Sequence, residues 1–369
     1  MPYAQIAGWG MCVPSKVLTN DDLVKAGLNT SDEWITSRTG IKQRHVVSAG
    51  EATSDLALKA AQRALAKANA DPREIDLVVV ATSTPDHVLP STASLVQDRL
   101  GAFRAGALDV NAACAGFVYA LTLATGQIES GRCKQALVIG ADALSLYVNW
   151  KDRSTCVLFG DGAGAVLLRS GEEPGVLATS LGSDGSGAGL LIVPAGGSRH
   201  PSTNDSLRNG NHYLSMNGPQ VFRFATQIMG RDAERVMAAS GIGPDDVDLF
   251  VPHQANLRII ETAAKRLKLA PNKVFTNVSE YGNTSAASIP IALCEAIDEG
   301  RLKEGDHMVL SSFGAGLAWA SAVVRWGTPQ PVQLTAAGRL RRAVGLRTLR
   351  ARSRLRRTLG RVRGLFARS

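Results

Sequence analysis

Two hydrophobic periods alternate along this chain. Residues 52–69 (ATSDLALKAAQRALAKAN) and 220–240 (QVFRFATQIMGRDAERVMAAS) carry apolar positions at helical spacing. Each precedes a short apolar run, PREIDLVVV at 72–80 and PDDVDLFVP at 244–252, of the kind a strand shows when both its faces are covered. A second pair of segments, IESGRCKQALVIG at 128–140 and IDEGRLKEGDHMVL at 297–310, repeats the relation in the same order at the same offset of about 170 residues. Four matched elements in register favour a duplicated unit over two unrelated α/β segments. The pattern predicts an α/β protein of two halves, residues 1–175 and 176–327, each built around a mostly buried sheet. Residues 181–212, rich in Gly, Ser, Asn and Asp, are expected to be loop. From Thr328 the chain reads TPQPVQLTAAG, a linker composition, and then an arginine-rich tail runs to residue 369.

With 369 residues, 45% of them apolar and 20% charged, the chain has a globular balance and the length for two domains or one large duplicated unit. The net charge of +9 misdescribes most of it. Residues 339–369 hold twelve arginines and no Asp, Glu or Lys; without those twelve the chain carries 29 basic against 32 acidic residues, a net of −3. A basic docking patch on the body is therefore local. In the tail, Leu355, Leu359, Val362 and Phe366 share one helical face among the arginines. A basic amphipathic helix of that kind suits an anionic membrane surface or an acidic protein partner, the alternative being a charged, disordered tail. No aromatic stacking platform accompanies the arginines, so nucleic acid is not an expected partner. Cys12, Cys114, Cys133, Cys156 and Cys294 are scattered and odd in number, which argues against a disulfide framework and for a reducing compartment, the cytoplasm. No apolar run of ~18 residues is present to span a membrane, and the opening MPYAQIAGWGMCVPSK lacks the order of a signal peptide. The Cys and His residues show no metal-ligand spacing, so no metal is expected.

The chemistry concentrates at strand–helix joints. ALDVNAACAGFVYALTLATGQIESG, from residue 107, passes from a strand-like segment into a helix of small and apolar residues, with Cys114 at the joint. Aligned backbone N–H groups at a helix N-terminus favour a thiolate. Ala112, Ala113, Ala115 and Gly116 permit a tight turn and close approach of a substrate. Taken alone, such a cysteine also reads as a buried structural thiol. VDLFVPHQANLRII puts His253 between a buried strand and a helix, and FTNVSEYGNTSAASIPIAL puts Asn283 at the joint of the second half that matches the Cys114 joint. Cysteine, histidine and amide converging from strand ends make a nucleophile with polarising partners. GDGAGA at 160–165 lacks the Lys-Ser/Thr of a phosphate loop and the spacing of a dinucleotide site. It is expected to be a tight turn between strands.

The order ACAGF, VPHQAN, GNTSAAS and SFGAGLAWA, with TSDEWITSRTGIKQRH at 30–45 and FGDGAGAVLL at 159–168, resembles the β-ketoacyl-[acyl-carrier-protein] synthase III family across residues 3–326. The resemblance implies a thiolase-like, five-layered α-β-α-β-α fold from two duplicated halves, and a homodimer. It implies that Cys114 takes an acyl group from acyl-CoA. His253 and Asn283 would then hydrogen-bond the carbonyl of malonyl-acyl carrier protein as it loses carbon dioxide, and the enolate would attack the acyl-cysteine. No cofactor beyond these thioester substrates is implied. The backbone N–H groups of Cys114 and Ala315 match the oxyanion hole, although Gly314-Ala315-Gly316 departs from the family's three glycines. If that turn needed φ > 0 at Ala315, alanine would cost ~1–2 kcal/mol.

Trp34 and Arg153 match the pair that sandwiches the CoA adenine, and Arg38 matches a CoA phosphate contact. Arg258, Lys265 and Arg266 lie on the helix after His253, whose core stripe is expected at Leu257, Ile260, Ala264 and Leu267. The exposed face so defined could receive acyl carrier protein or be merely solvated. Leu89 matches the residue that closes the acyl pocket across the dimer. Within the same superfamily, elongating synthases carry a second histidine where Asn283 stands, and degradative thiolases a second cysteine in the final turn. Plant-type polyketide synthases carry a proline there, and none of these fits. A relative that starts polyketides, or moves an acyl group to an amine or alcohol, would use the same Cys–His–Asn set. An inactive scaffold working through its tail is the alternative of a different class, and the intact set argues against it.

Overall fold

The unbroken apolar runs lie in strands covered on both faces. The computed structural model describes residues 2–327; the tail, and the amphipathic reading of it, lie outside the described residues. The principal strands are β1 (Tyr3–Cys12), β2 (Leu77–Ala81), β3 (Gly106–Val110), β4 (Gln135–Ala143), β5 (Asp161–Gly171), β6 (Val176–Ser183), β7 (Leu249–Pro252), β8 (His307–Gly314) and β9 (Ala318–Arg325). The principal helices are α1 (Asp32–Thr39), α2 (Thr53–Lys67), α3 (Thr92–Leu100), α4 (Gly116–Glu129), α5 (Gly218–Ala239), α6 (Leu257–Arg266) and α7 (Ser288–Asp298).

The first sheet has the order β1-β5-β4-β2-β3 and the second β6-β9-β8-β7. In each, the strand carrying the repeated motif is parallel to its neighbour, β2 to β4 and β7 to β8, while the remaining hairpin partners are antiparallel. An isolated bridge from Phe250 to Val274 stands where β3 lies in the first sheet. Side chains along β2 alternate between two cores: Val79 and Ala81 join the central cluster, Val78 and Val80 the outer one. The central cluster lies between the sheets and contains α4 and α7. Helices α2 and α3 cover the far face of the first sheet, and α5 and α6 that of the second. The result is the five-layered, duplicated, thiolase-like fold.

Two local expectations are corrected. GDGAGA is not a turn; from Asp161 it is the start of β5, paired on both sides. Glycine is needed there because helix backbone presses on the strand: a Cβ at Gly164 would sit 2.6 Å from the carbonyl carbon of Pro290. Residues 181–212 are not simply loop either. Strand β6 runs to Ser183, a 3-10 segment covers Gly185–Leu190, Leu191–Ile192 pairs with Ser215–Met216, and Asn204–Arg208 is a short helix. The small polar residues supply caps at Asp184 and Thr203.

Candidate active site

The two repeated joints have the same construction. A 3-10 turn at Ala113–Ala115 opens α4, and one at Ser285–Ala287 opens α7. Each turn begins with a residue in the left-handed region, Ala113 at φ 48° and Ser285 at φ 52°. That conformation strains any residue with a Cβ. It recurs at the joint without a nucleophile, so it belongs to the shared turn geometry. Asparagine braces both turns: Ala113 N–H donates to Asn111 Oδ1 at 3.3 Å, and Ser285 N–H to Asn283 Oδ1 at 2.9 Å. Within the matched joints the counterpart of Asn283 is therefore Asn111, and that of Cys114 is Ala286. Neither α4 nor α7 has a side-chain cap, whereas α1, α3 and α6 are capped by Ser31, Ser91 and Asn256. At the α7 joint the Ala286 N–H is taken by the Asp142 carboxylate, whereas the matching Cys114 N–H has no side-chain acceptor in another residue among the described residues.

Cys114 borders a cavity of about 510 Å³ lined mainly by apolar residues, among them Leu144, Tyr147, Phe159, Leu191 and Leu214, with Ser285 and Ala315 beside the thiol. Cys114 is 7% exposed. Burial pushes its pKa up to about 12; the Ser285 hydroxyl works against the rise, and the Asp142 carboxylate adds to it. The expectation of a resting thiolate is thus overturned, because desolvation outweighs the helix N-terminus. Asp142 is itself buried and held by Thr82 Oγ1, Thr84 Oγ1 and the N–H groups of Ser83, Thr84 and Ala286. It ties the Asn283 joint to the end of β4.

His253 is brought to the site by β7, its N–H donating to Ser311 O of β8 at 2.8 Å. Its ring stands edge-on to Phe313, with centroids 5.3 Å apart. Nδ1 contacts Ser288 Oγ at 2.5 Å, and Nε2 is buried without a partner among the described residues. Burial pulls its pKa down to about 3, so the ring is neutral at ordinary pH. Asn283 is fixed by its backbone, donating to Leu158 O at 2.8 Å and accepting from Gly160 at 3.0 Å. With Oδ1 bound to Ser285, its amide NH₂ is left for another acceptor. Ser285 and Ser288 link the three groups: Ser285 borders the Cys114 cavity, follows Asn283, and its carbonyl meets Ser288 Oγ at 2.9 Å.

The end of β8 closes the site. A Cβ at Gly314 would lie 2.6 Å from Cys114 N, and Ser312 Oγ donates to Cys114 O at 2.8 Å. The left-handed position of the turn is Gly316, at φ 130°, rather than Ala315. Alanine therefore carries no such cost, and the backbone N–H of Ala315, like that of Cys114, has no backbone acceptor among the described residues.

The other expected residues lie farther out. Arg153 stacks on Trp34 with its guanidinium 4.5 Å from the ring centroid, and Arg38 does so at 4.7 Å. A ring between Trp34 and Arg153 needs ~7 Å, two contact distances. Arg153 is held by a 2.8 Å bond to Asn29 O, and a planar ring can lie between it and Trp34 only if the pair separates. Arg258, Lys265 and Arg266 are exposed on α6, but Arg258 donates to Ser37 O and Arg266 pairs with Glu234 at 2.7 Å. The stripe of α6 also differs: Ile259 and Ala263 are buried with Ile260 and Ala264, while Leu257 is half-buried. Leu89, 81% exposed, does not border the Cys114 cavity within one chain. Ser285, Ser288 and Asp142 were not singled out from the sequence. Both serines stood in the GNTSAAS motif, where they read as small residues for close packing.

Comparison with known proteins decides the family. Residues 108–185 match 3-oxoacyl-[acyl-carrier-protein (ACP)] synthase III, and residues 237–326 match its C-terminal region. A β-ketoacyl-[acyl-carrier-protein] synthase III of Roseiflexus castenholzii is 51% identical over 88% of this chain and 98% of its own length. The chain belongs to the β-ketoacyl-[acyl-carrier-protein] synthase III family. It is a condensing acyltransferase of fatty acid synthesis. The crystal structure of the Aquifex aeolicus synthase III is 46% identical, with a TM-score of 0.81 over 88% of this chain and all of that one. The priming β-ketosynthase of the R1128 polyketide pathway is 33% identical, with a TM-score of 0.82 over 89% of this chain and 97% of that one.

Proposed function

We propose that this synthase III joins an acyl-CoA primer to malonyl-acyl carrier protein through an acyl-Cys114 intermediate. The Cys114 sulfur attacks the thioester carbonyl, and its proton leaves with the sulfur of free coenzyme A. The N–H groups of Cys114 and Ala315 would hold the oxyanion in this step. In the second step, His253 Nε2 and the Asn283 amide receive the malonyl thioester oxygen while carbon dioxide departs. The resulting enolate carbon attacks acyl-Cys114, the C–S bond breaks, and the β-ketoacyl carrier protein leaves a free thiol after proton uptake. The observation that carries this reading is the unpartnered Nε2 of buried His253 together with the Asn283 amide NH₂, joined through Ser285 and Ser288 to the thiol at an apolar-lined cavity. Donors fixed where charge develops are each worth ~2.7–4 kcal/mol of barrier. The two thioester substrates supply all the chemistry required.

Several finer readings go with it. The halves divide near residue 175, between Gly171 and Val176. The working form is a cytoplasmic homodimer in which Leu89 of one subunit closes the partner's acyl pocket. Trp34, Arg38 and Arg153 hold coenzyme A, and Arg258, Lys265 and Arg266 face the acidic carrier protein. The arginine tail directs the enzyme to an anionic surface: truncation after Gly327 should keep turnover and weaken salt-sensitive binding to anionic vesicles, whereas loss of Cys114 acylation would contradict this. A scan of acyl-CoA primers with malonyl-acyl carrier protein tests the function. Decarboxylative condensation with an acyl-CoA primer supports the reading, and no condensation with any primer defeats it.

A further inference from the structure

Neutral imidazole carries its proton on only one nitrogen, and the other can only accept. In His253 the choice is made at Ser288, a 2%-exposed residue at the start of α7. The Ser288 hydroxyl has one proton and two acceptors within reach, His253 Nδ1 at 2.5 Å and the Ser285 carbonyl at 2.9 Å. The carbonyl has another donor, the backbone N–H of Ser288. Nδ1 has no other partner among the described residues. If the hydroxyl proton went to the carbonyl, Nδ1 would have to be the protonated nitrogen. Nε2 would then present a bare lone pair to the site and repel a negative oxygen.

We propose that Ser288 is a positioning residue for the decarboxylation step: its hydroxyl donates to His253 Nδ1 and so fixes Nε2 as the protonated nitrogen facing the malonyl thioester. The inference rests on the donor role of His253 set out under the proposed function. Ser288 itself touches no substrate; it acts through the ring. Removing the hydroxyl leaves buried Nδ1 without a donor, so both tautomers are populated and the useful one is diluted. Acylation of Cys114 draws on backbone N–H groups and should not depend on the tautomer.

The test combines a spectroscopic readout with the two half-reactions. In enzyme labelled with ¹⁵N-histidine, the His253 signal is identified by its absence in His253→Ala, and its shift reports which nitrogen is protonated. The expected result is a protonated Nε2 in the wild type and a mixed or reversed signal in Ser288→Ala. Decarboxylation of malonyl-acyl carrier protein by Ser288→Ala should fall by at least ~10-fold, short of the ~10²–10³-fold loss of the donor itself. Acylation by acyl-CoA should stay near the wild-type rate. A protonated Nδ1 in the wild type, or unchanged decarboxylation in a folded Ser288→Ala, overturns the proposal. If Ser288→Ala does not fold, the wild-type signal alone decides. The His253→Ala control separates the two levels: if that variant decarboxylates normally, the role of His253 itself fails, whereas a dead His253→Ala beside a normal Ser288→Ala removes only the role of Ser288.

Discussion

Replacing Gly314 by alanine adds one methyl group where the end of β8 meets the nucleophile. The added Cβ would lie 2.6 Å from Cys114 N, 3.0 Å from Ala113 Cβ and 3.2 Å from Ala112 O. Ordinary contact begins near 3.4 Å, so the Cys114 amide must retreat by about 0.8 Å. The obstacles are backbone atoms and an alanine Cβ, so no flexible side chain can yield instead. Gly314 is not in the left-handed region, so alanine brings no backbone strain of its own and the effect is one of contact. An oxyanion donor acts at 2.7–3.1 Å, and a shift of that size takes the Cys114 N–H out of range. Losing one such donor costs ~2.7–4 kcal/mol, a fall of ~10²–10³ in the acylation rate. Overpacking should cost a further ~1–3 kcal/mol in stability without unfolding the chain. Single-turnover acylation followed by intact mass, with thermal melting as control, gives both quantities. A folded Gly314→Ala protein that acylates at the wild-type rate would refute the reasoning, because the Cys114 N–H would then not hold the oxyanion.

Leu89→Phe should move primer preference toward shorter chains, one buried methylene being worth ~1–3 kcal/mol in such a pocket; an unchanged profile places Leu89 away from the acyl chain. Protonation of His253 should limit stability in acid. Its folded pKa of about 3 lies below the ordinary 6.5, so the stability linked to the neutral ring is complete above pH 6.5 and lost as the pH falls toward 3. His253→Gln should therefore lose stability less steeply over that window in denaturant titrations, and parallel curves for the two proteins would contradict a buried neutral imidazole.

Much of the site was legible because its chemistry needs particular residue types at strand–helix joints. Cys114 and His253 each stand where a strand gives way to a helix, Asn283 stands just before the turn that opens α7, and the repeat marked which joints correspond. What was misread depends on packing. The glycines at 160–165 look locally like a turn, and only the pressure of α7 on β5 explains them inside a strand. The acidity of Cys114 was misjudged because the helix N-terminus is visible in the sequence and the depth of burial is not. Trp34 and Arg153 match two walls of a slot, yet nothing in their sequence says that the two stack directly on one another. Ser288 reads as a small residue in an apolar helix until His253 is placed against it.

The most direct test of the central claim is intact-mass analysis of the enzyme after acyl-CoA, and again after malonyl-acyl carrier protein is added. Wild-type enzyme should gain one acyl group on Cys114 and lose it again as β-ketoacyl carrier protein forms. Cys114→Ala, which keeps the fold because the equivalent position of the other joint is already Ala286, should gain none. An acyl adduct that persists in Cys114→Ala, or a wild-type adduct that malonyl-acyl carrier protein fails to discharge, would contradict the assignment of Cys114 as the condensing nucleophile.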